Sequence, residues 1–256
     1  MTNEKLLISE IQGHVLVLTL NRPQARNAVN RALALEIERA VDAFEADDEL
    51  RVCVLTGAAG TFCAGADLFS VKAGESRSTD RRGGFGFMKT PPFKPVIAAV
   101  EGYAIGGGLE LALSCDLIVA ARTARMGLPE VLRGRLASGG GLFRLPKRLP
   151  YHVAMELAIT GDLWVPEALK SFGLVNRLAD EGGALEVALE LARQIASNAP
   201  VAVCGSKEIV VNSAMWSEKE AWVNQVPVMN RVDGSEDAAE GLAAFAGKRP
   251  PVWRGK

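Results

Sequence analysis

The sequence predicts an α/β fold, and three observations carry that prediction. Compact apolar runs bounded by Gly, Asn, Asp or Pro recur at Val15–Leu20, Val52–Leu55, Val96–Val100 and Leu117–Ala120, as buried strands require. Amphipathic helical patterns lie between and after these runs. From about Ala199 onward the strand-like runs stop and helical stretches take over.

The elements follow in order. Between the first two runs, Asn30 is placed to cap a helix whose apolar stripe is Leu33, Ile37, Val41 and Phe44, set against Glu36, Arg39, Asp42 and Glu45. The segment from Lys72 to Lys94 holds Gly74, Gly83, Gly84, Gly86, Pro91 and Pro92 among several charges and reads as a long surface excursion. Such a loop is either a lid or pocket wall, or plain disorder. A second helix is predicted from Ala184 to Ser197, with Val187, Leu191 and Ile195 on one face, and it stops before Pro200. In the helical C-terminal segment, Trp216, Trp222 and Trp253 suit packing against the body or, preferably, a neighbouring subunit.

Bulk properties narrow the function. Of 256 residues, 48% are hydrophobic and 23% charged, enough for a sizeable core. The net charge of -1 argues against a nucleic-acid binder, which needs a basic surplus to neutralise phosphates. The last ten residues are the exception, with Lys248, Arg249, Arg254 and Lys256 and no acid. They form either a solvated tail or a contact for cofactor phosphates. The start of the chain lacks the pattern of a secretory signal, and the Val15–Leu20 run is far short of the roughly 20 residues of a membrane helix. A cytoplasmic protein with no membrane partner is expected. Cys53, Cys63, Cys115 and Cys204 lack CxxC spacing, so neither a metal site nor a disulfide framework is indicated. Neither His14 nor His152 lies in a nucleophile-type motif.

Three stretches can carry chemistry. In Glu101–Glu110, an apolar strand runs into Gly106, Gly107 and Gly108 and then into a helical pattern. A glycine-rich turn opening a helix leaves amide N–H groups free to bind a phosphate or a developing oxyanion. The dinucleotide fingerprint fails because Leu111 stands where its last glycine belongs, and no Gly-Lys-Ser/Thr follows, so an oxyanion site is the better reading. The alternative is that the glycines only let helix and sheet approach closely. The second stretch, Gly57 to Leu68, follows a strand and is built almost wholly of small residues that let a ligand near its backbone. In the third, Glu130 follows Pro129 and precedes Gly139, Gly140 and Gly141, facing either a pocket or solvent.

Taken together and in order, the pieces resemble the crotonase (enoyl-CoA hydratase/isomerase) superfamily. They are Leu20-Asn-Arg-Pro-Gln-Ala-Arg-Asn-Ala28, Phe62-Cys-Ala-Gly-Ala-Asp-Leu68, Gly102-Tyr-Ala-Ile-Gly-Gly-Gly-Leu-Glu-Leu-Ala112, Cys115-Asp-Leu117, Leu128-Pro-Glu130 and Gly173-Leu-Val-Asn176. The resemblance implies a crotonase-like spiral of ββα units over residues 1–198 and a helical trimerisation segment over 199–256. It implies that the Ala66 and Gly107 amides hold a thioester oxygen, that Glu110 activates water, and that Glu130 delivers a proton to the α-carbon. Arg26, Ala64, Ala66, Asp67 and Leu68 match the loop along coenzyme A, and Phe245 and Lys248 match a tail that reaches its adenine end from a neighbouring subunit. The implied partner is an acyl-CoA thioester, with coenzyme A part of the substrate and no separate cofactor, in a homotrimer or a dimer of trimers.

The same comparison exposes a departure. Ala137-Ser138 stands where typical hydratases have Pro-Gly, so Ser138 is expected to narrow the site while keeping its N–H. Arg133 and Arg135 are either solvated or face an anionic or polar acyl group. Glutamates at both 110 and 130 favour hydration or dehydration over single-acid isomerisation. Other chemistry of the superfamily, and a trimeric thioester-binding protein without turnover, are the alternatives. A binding-only relative has no need of both acids.

Overall fold

The computed structural model describes residues 5–256. Its strands are β1 (Leu7–Gln12), β2 (Val15–Leu20), β3 (Val52–Gly57), β4 (Ser78–Thr79), β5 (Gly83–Gly84), β6 (Val96–Val100), β7 (Tyr103–Ile105), β8 (Leu117–Ala121), β9 (Arg125–Gly127) and β10 (Arg177–Ala179). The α-helices that matter here are α1 (Arg31–Ala46), α2 (Leu68–Lys72), α3 (Gly107–Ala112), α4 (Gly141–Arg144), α5 (Tyr151–Thr160), α6 (Pro166–Ser171), α7 (Ala184–Ala196), α8 (Pro200–Ser213), α9 (Glu218–Asn224), α10 (Val226–Asp233) and α11 (Glu236–Ala246).

Six strands form one sheet in the order β1-β2-β3-β6-β8-β10. Only the β1–β2 pair is antiparallel. Both faces are covered, which explains why its central strands read as near-continuous apolar runs. Val15, Val17, Val52, Val54, Ile97, Ala99 and Val119 face α7, while alternate residues such as Leu18, Leu20, Leu55 and Val100 join the larger core with α1. β1 was not expected from sequence. It has one buried residue, Leu7, and its exposed edge carries no apolar alternation.

A second layer gives the fold its spiral. After each parallel strand the chain supplies a short extended piece, and these pieces pair in sequence order. Val29 bridges Ala66, Cys63 bridges Ala104, β7 pairs with β9, and Met126 bridges Trp164. Each turn of the chain therefore contributes one strand to the main sheet and one segment to this inner stack. The loops joining the two layers lie on top of one another.

The helices show where local pattern and packing agree and where they do not. Asn30 caps α1, its side chain accepting the Leu33 N–H at 3.0 Å, and Leu33, Ile37, Val41 and Phe44 are fully buried. In α7 the deepest contacts are made by Ala184, Ala188, Leu189, Ala192 and Ala196. The expected Val187, Leu191 and Ile195 stripe is only half-buried beside them. Alanines let the helix axis approach the sheet, and the larger residues seal its flanks.

The 72–94 segment is a pinned strap, which corrects the reading as a surface excursion or a disordered loop. β4 and β5 pair across it, and Phe85, Phe87 and Met88 are buried. Arg82, 6% exposed, donates to Asp42 on α1 at 2.8 Å, to Glu45 and to the Thr90 carbonyl. Thus Asp42 and Glu45, on the polar side of α1, clasp the strap. Lys94, also buried, closes the strap by donating to the Phe44 and Asp47 carbonyls at the end of α1. No helix among the described residues is long and apolar enough to cross a membrane.

Arg82→Met is expected to lower stability by about 2 kcal/mol. That lies between about 1 for an exposed pair and 3–5 for a buried one, because its acidic partners remain partly hydrated. Equilibrium urea unfolding measures it, and unchanged stability would show that the clasp contributes nothing.

Candidate active site

The site forms where the loops after β3 and β7 stack. Gly106 opens α3 at φ 56°, ψ -123°, a conformation open to glycine, and turns the first amides of the helix outward. Gly108 serves packing instead. A Cβ there would stand 2.0 Å from the Cys63 carbonyl oxygen, so the close-approach reading of the glycine run holds at that position. The Ala66 amide lies beside this turn. A Cβ built on Gly107 would be 3.6 Å from Ala66 N, and one on Gly65 would be 3.2 Å from Gly107 N. No acceptor among the described residues takes the N–H of Ala66 or of Gly107. The two donors therefore share one small space and are free.

Their loops are held by polar groups the sequence reading left without a role. Asn27, fully buried, donates to the Ala58 and Thr61 carbonyls and accepts the Arg22 N–H. Arg22 in turn donates to Asp67 at 2.8 Å. Asp67 also caps α2 through Phe69 N and Ser70 N, and these contacts hold its carboxyl below the usual range despite opposing burial. Ala64 N donates to the Arg26 carbonyl, tying the loop to the turn after β2.

Two carboxyl groups converge on the same place. Glu110, 4% exposed on the first turn of α3, accepts the N–H of Gly139 at 2.6 Å and of Gly141 at 2.9 Å on one oxygen. Burial raises its pKa, against the lowering pull of those amides and of Arg144. Glu130 lies in the 3-10 turn Pro129–Arg133, and its Oε1 is 2.6 Å from where a Gly106 Cβ would stand. Its Oε2 is buried without a hydrogen-bond partner among the described residues. Burial raises its pKa, and the nearby Glu110 charge raises it further. The strap completes the wall. The Phe85 ring reaches within 2.6 Å of the Gly107 Cβ position, and the Met88 sulfur within 2.6 Å of that of Gly139.

The structure thus brings together Ala66, Gly107, Glu110 and Glu130, with Ala64, Asp67 and Leu68 on the adjoining loop. Leu68 and Arg26 are exposed. Phe245 and Lys248 end α11, also exposed, and within this one chain nothing brings them to the loop. Of the basic tail, Arg249 is committed to Glu240 by two hydrogen bonds at 2.6 and 2.8 Å, so the phosphate-contact reading loses that residue. Ser138 is exposed, and the amides at Glu110 come from Gly139 and Gly141, so the expected narrowing by Ser138 is not seen. Arg133 and Arg135 are exposed, with Arg133 still near enough to lower the Glu130 pKa. His14 binds the Glu49 carbonyl and His152 stacks edge-on against Tyr151, both away from any nucleophile. Burial pushes the Cys63 thiol up to about 12, in keeping with a packing role.

A spiral of paired strand layers with two free amides beside one buried and one half-buried acid is the arrangement of the crotonase class. More narrowly, residues 10–256 match the family model described as enoyl-CoA hydratase/isomerase, and the chain belongs to that family. It is 40% identical over 256 residues to a carnitinyl-CoA dehydratase of Escherichia coli (strain K12), covering 95% of this chain and 96% of that one. Among solved structures, an enoyl-CoA hydratase from Mycobacterium tuberculosis H37Rv shares 48% identity with a TM-score of 0.97, covering 99% of this chain and 100% of that one. A carnitinyl-CoA hydratase from Mycobacterium avium shares 38% with a TM-score of 0.79, covering 99% and 100%. The chemistry of this chain is accordingly of crotonase type, on coenzyme A thioesters.

The raised pKa of Glu130 has a thermodynamic consequence. Its ionised form is disfavoured in the folded state, so its stabilising contribution is full below the unfolded value near 4.3 and is lost as pH rises through the folded value. Glu130→Gln is therefore expected to melt higher than the wild type at pH 7, with the gap closing towards pH 4. Thermal unfolding across that range decides it, and a variant that melts lower at pH 7 would contradict the assignment of an unpaired buried carboxyl.

Proposed function

We propose that this protein is a hydro-lyase that adds water across the α,β double bond of an enoyl-CoA thioester. The observation that carries the proposal is the pair of free amides at Ala66 and Gly107 beside two acids, Glu110 buried and Glu130 half-buried, in unequal surroundings. The thioester oxygen would accept both N–H groups, which stabilise negative charge as the enolate develops. A single such donor is typically worth on the order of 10² to 10³ in rate.

The unequal surroundings assign the proton work. Glu110 accepts two amides and has the Arg144 charge nearby, so it is the acid better suited to stay ionised. It would take a proton from water as the oxygen bonds to the β-carbon. Glu130 has an oxygen with no partner and a like charge beside it, so it is the acid better suited to hold a proton. It would give that proton to the α-carbon, and the enolate electron pair forms the new C–H bond. Net addition places OH on the β-carbon and H on the α-carbon; one proton transfer between the acids through solvent resets the site.

The same geometry run backwards removes water from a 3-hydroxyacyl thioester, and the carnitinyl-CoA dehydratase relatives favour that direction. Coenzyme A would lie along Arg26, Ala64, Ala66, Asp67 and Leu68, with the Asp67 carboxylate shaping the loop through its bond from Arg22. Phe245 and Lys248 would reach the adenine end from a second copy. The segment from 199 would serve assembly into a homotrimer or a dimer of trimers, a reading supported by exposed Val210, Val211, Trp222, Val223 and Leu242.

Loss of the ultraviolet absorbance of a short enoyl-CoA on adding protein tests the activity. Glu110→Gln and Glu130→Gln are each expected to lower turnover by at least about 10²-fold, the lower end for a positioned acid or base. Wild type and both variants behaving alike across several chain lengths would leave a thioester-binding protein without turnover.

A further inference from the structure

Arg144 ends the short helix α4, half-buried behind Glu110. Its Nη1 donates to the Gly139 carbonyl at 3.0 Å, and its Nη2 donates to the Met88 carbonyl at 2.5 Å. Gly139 is the residue whose own N–H meets Glu110. Met88 belongs to the strap, and its sulfur packs on Gly139 and thereby on the same carboxyl. The guanidinium also lies 5.3 Å from the Phe143 ring centroid, which fixes its plane. One side chain therefore joins three elements at a single carboxylate.

We infer that Arg144 is a positioning residue for the reaction, fastening the strap to the turn that feeds amide donors to Glu110 and holding that carboxylate in its charged, proton-accepting form. This rests on the hydration reading above, in which Glu110 is the base. The geometry supplies two separable effects. The two carbonyl bonds hold the Gly139–Gly141 turn in register with Glu110. The charge offsets the burial that works against ionisation of Glu110.

The other charged and titratable groups facing this corner are few. Glu130 and Arg133 lie on the 3-10 turn, Arg148 sits one turn beyond Arg144 and disfavours its charge, and Cys115 stays protonated in the core. Arg148 makes no bond to the Gly139 turn and does not act on Glu110 directly, so it serves as the control. The arginine fork gives each carbonyl its own nitrogen, Nη1 for Gly139 and Nη2 for Met88, in one fixed plane.

The test is the pH profile of kcat for hydration of a short enoyl-CoA by the full-length protein. Arg144→Gln is expected to move the acidic limb upward by about one pH unit, so that turnover falls by up to about tenfold on the acidic side of the limb and recovers as pH rises. Arg144→Lys keeps the charge and loses one link, so its limb should stay at the wild-type position while its turnover falls. Arg148→Gln should leave the limb in place. An equal loss of turnover at every pH in Arg144→Gln, or a shifted limb in Arg144→Lys, overturns the inference. Should Arg144→Gln fail to fold, the lysine variant decides alone.

A second readout does not use activity. Unfolding free energies of wild type, Glu110→Gln, Arg144→Gln and the double variant give the coupling between the two residues. That coupling should grow as pH rises from 4 to 8. A coupling that is flat with pH overturns the inference. A wild type without hydratase activity that still shows the growing coupling would overturn the hydration reading and leave the Arg144–Glu110 linkage in place.

Discussion

Two backbone N–H groups left without partners at a buried junction are the constraint around which this molecule is arranged. An unmet buried donor is costly, and folded chains pair almost all of them. The fold keeps Ala66 and Gly107 free by fixing everything around them. Val29 pairs with the residues flanking Ala66, Cys63 pairs across to Tyr103 and Ile105, and Gly106 N is held by the Gly127 carbonyl. The free amides are gaps in an otherwise complete ladder. They are aimed by their neighbours' bonds rather than by any bond of their own.

The acids depend on the same frame in different ways. Glu110 is carried on the helix that the free amides open, so donor and carboxyl share one rigid element. Its second support, the Gly139–Gly141 turn, comes from thirty residues further along. Glu130 is brought in by a 3-10 turn begun by Pro129 and ended at Gly134 with φ 64°, short and tightly defined at both ends. One carboxyl sits among donors and the other lacks a partner, so identical side chains acquire different proton affinities from position alone.

How far the sequence disclosed this varies with the kind of interaction. The strands buried on both faces were legible because a doubly covered strand must be apolar throughout. α1 was legible because a cap and a 3.6-residue stripe are local signals. β1 was not, since an edge strand with one solvated face lacks either pattern. For the strap, a pocket wall was one of two open readings, because glycines and prolines mark turns but say nothing of what the turns are tied to. Arg82, Phe85 and Met88 are fixed by partners forty or more positions away on α1, or across the site. At the site, Ala66, Gly107, Glu110 and Glu130 were picked out through an ordered set of motifs, while their approach to one another belongs to the tertiary structure alone. Asn27 and Arg144 were passed over because a side chain that bonds only to backbone groups leaves no mark on spacing or periodicity.

The stacked second layer has an implication for how the chain matures. Its pieces are laid down in sequence order, and the turn carrying the Gly107 amide is closed by the Gly127 carbonyl, so the polarising half, from Ala66 and Gly107, is complete only once residues to about 127 are in place. The carboxyl that lacks a partner arrives only with residue 130, and the turn supporting its companion only with 139–141. The donors and the acids are thus finished by successive stretches of chain, each closing on the one laid down before it.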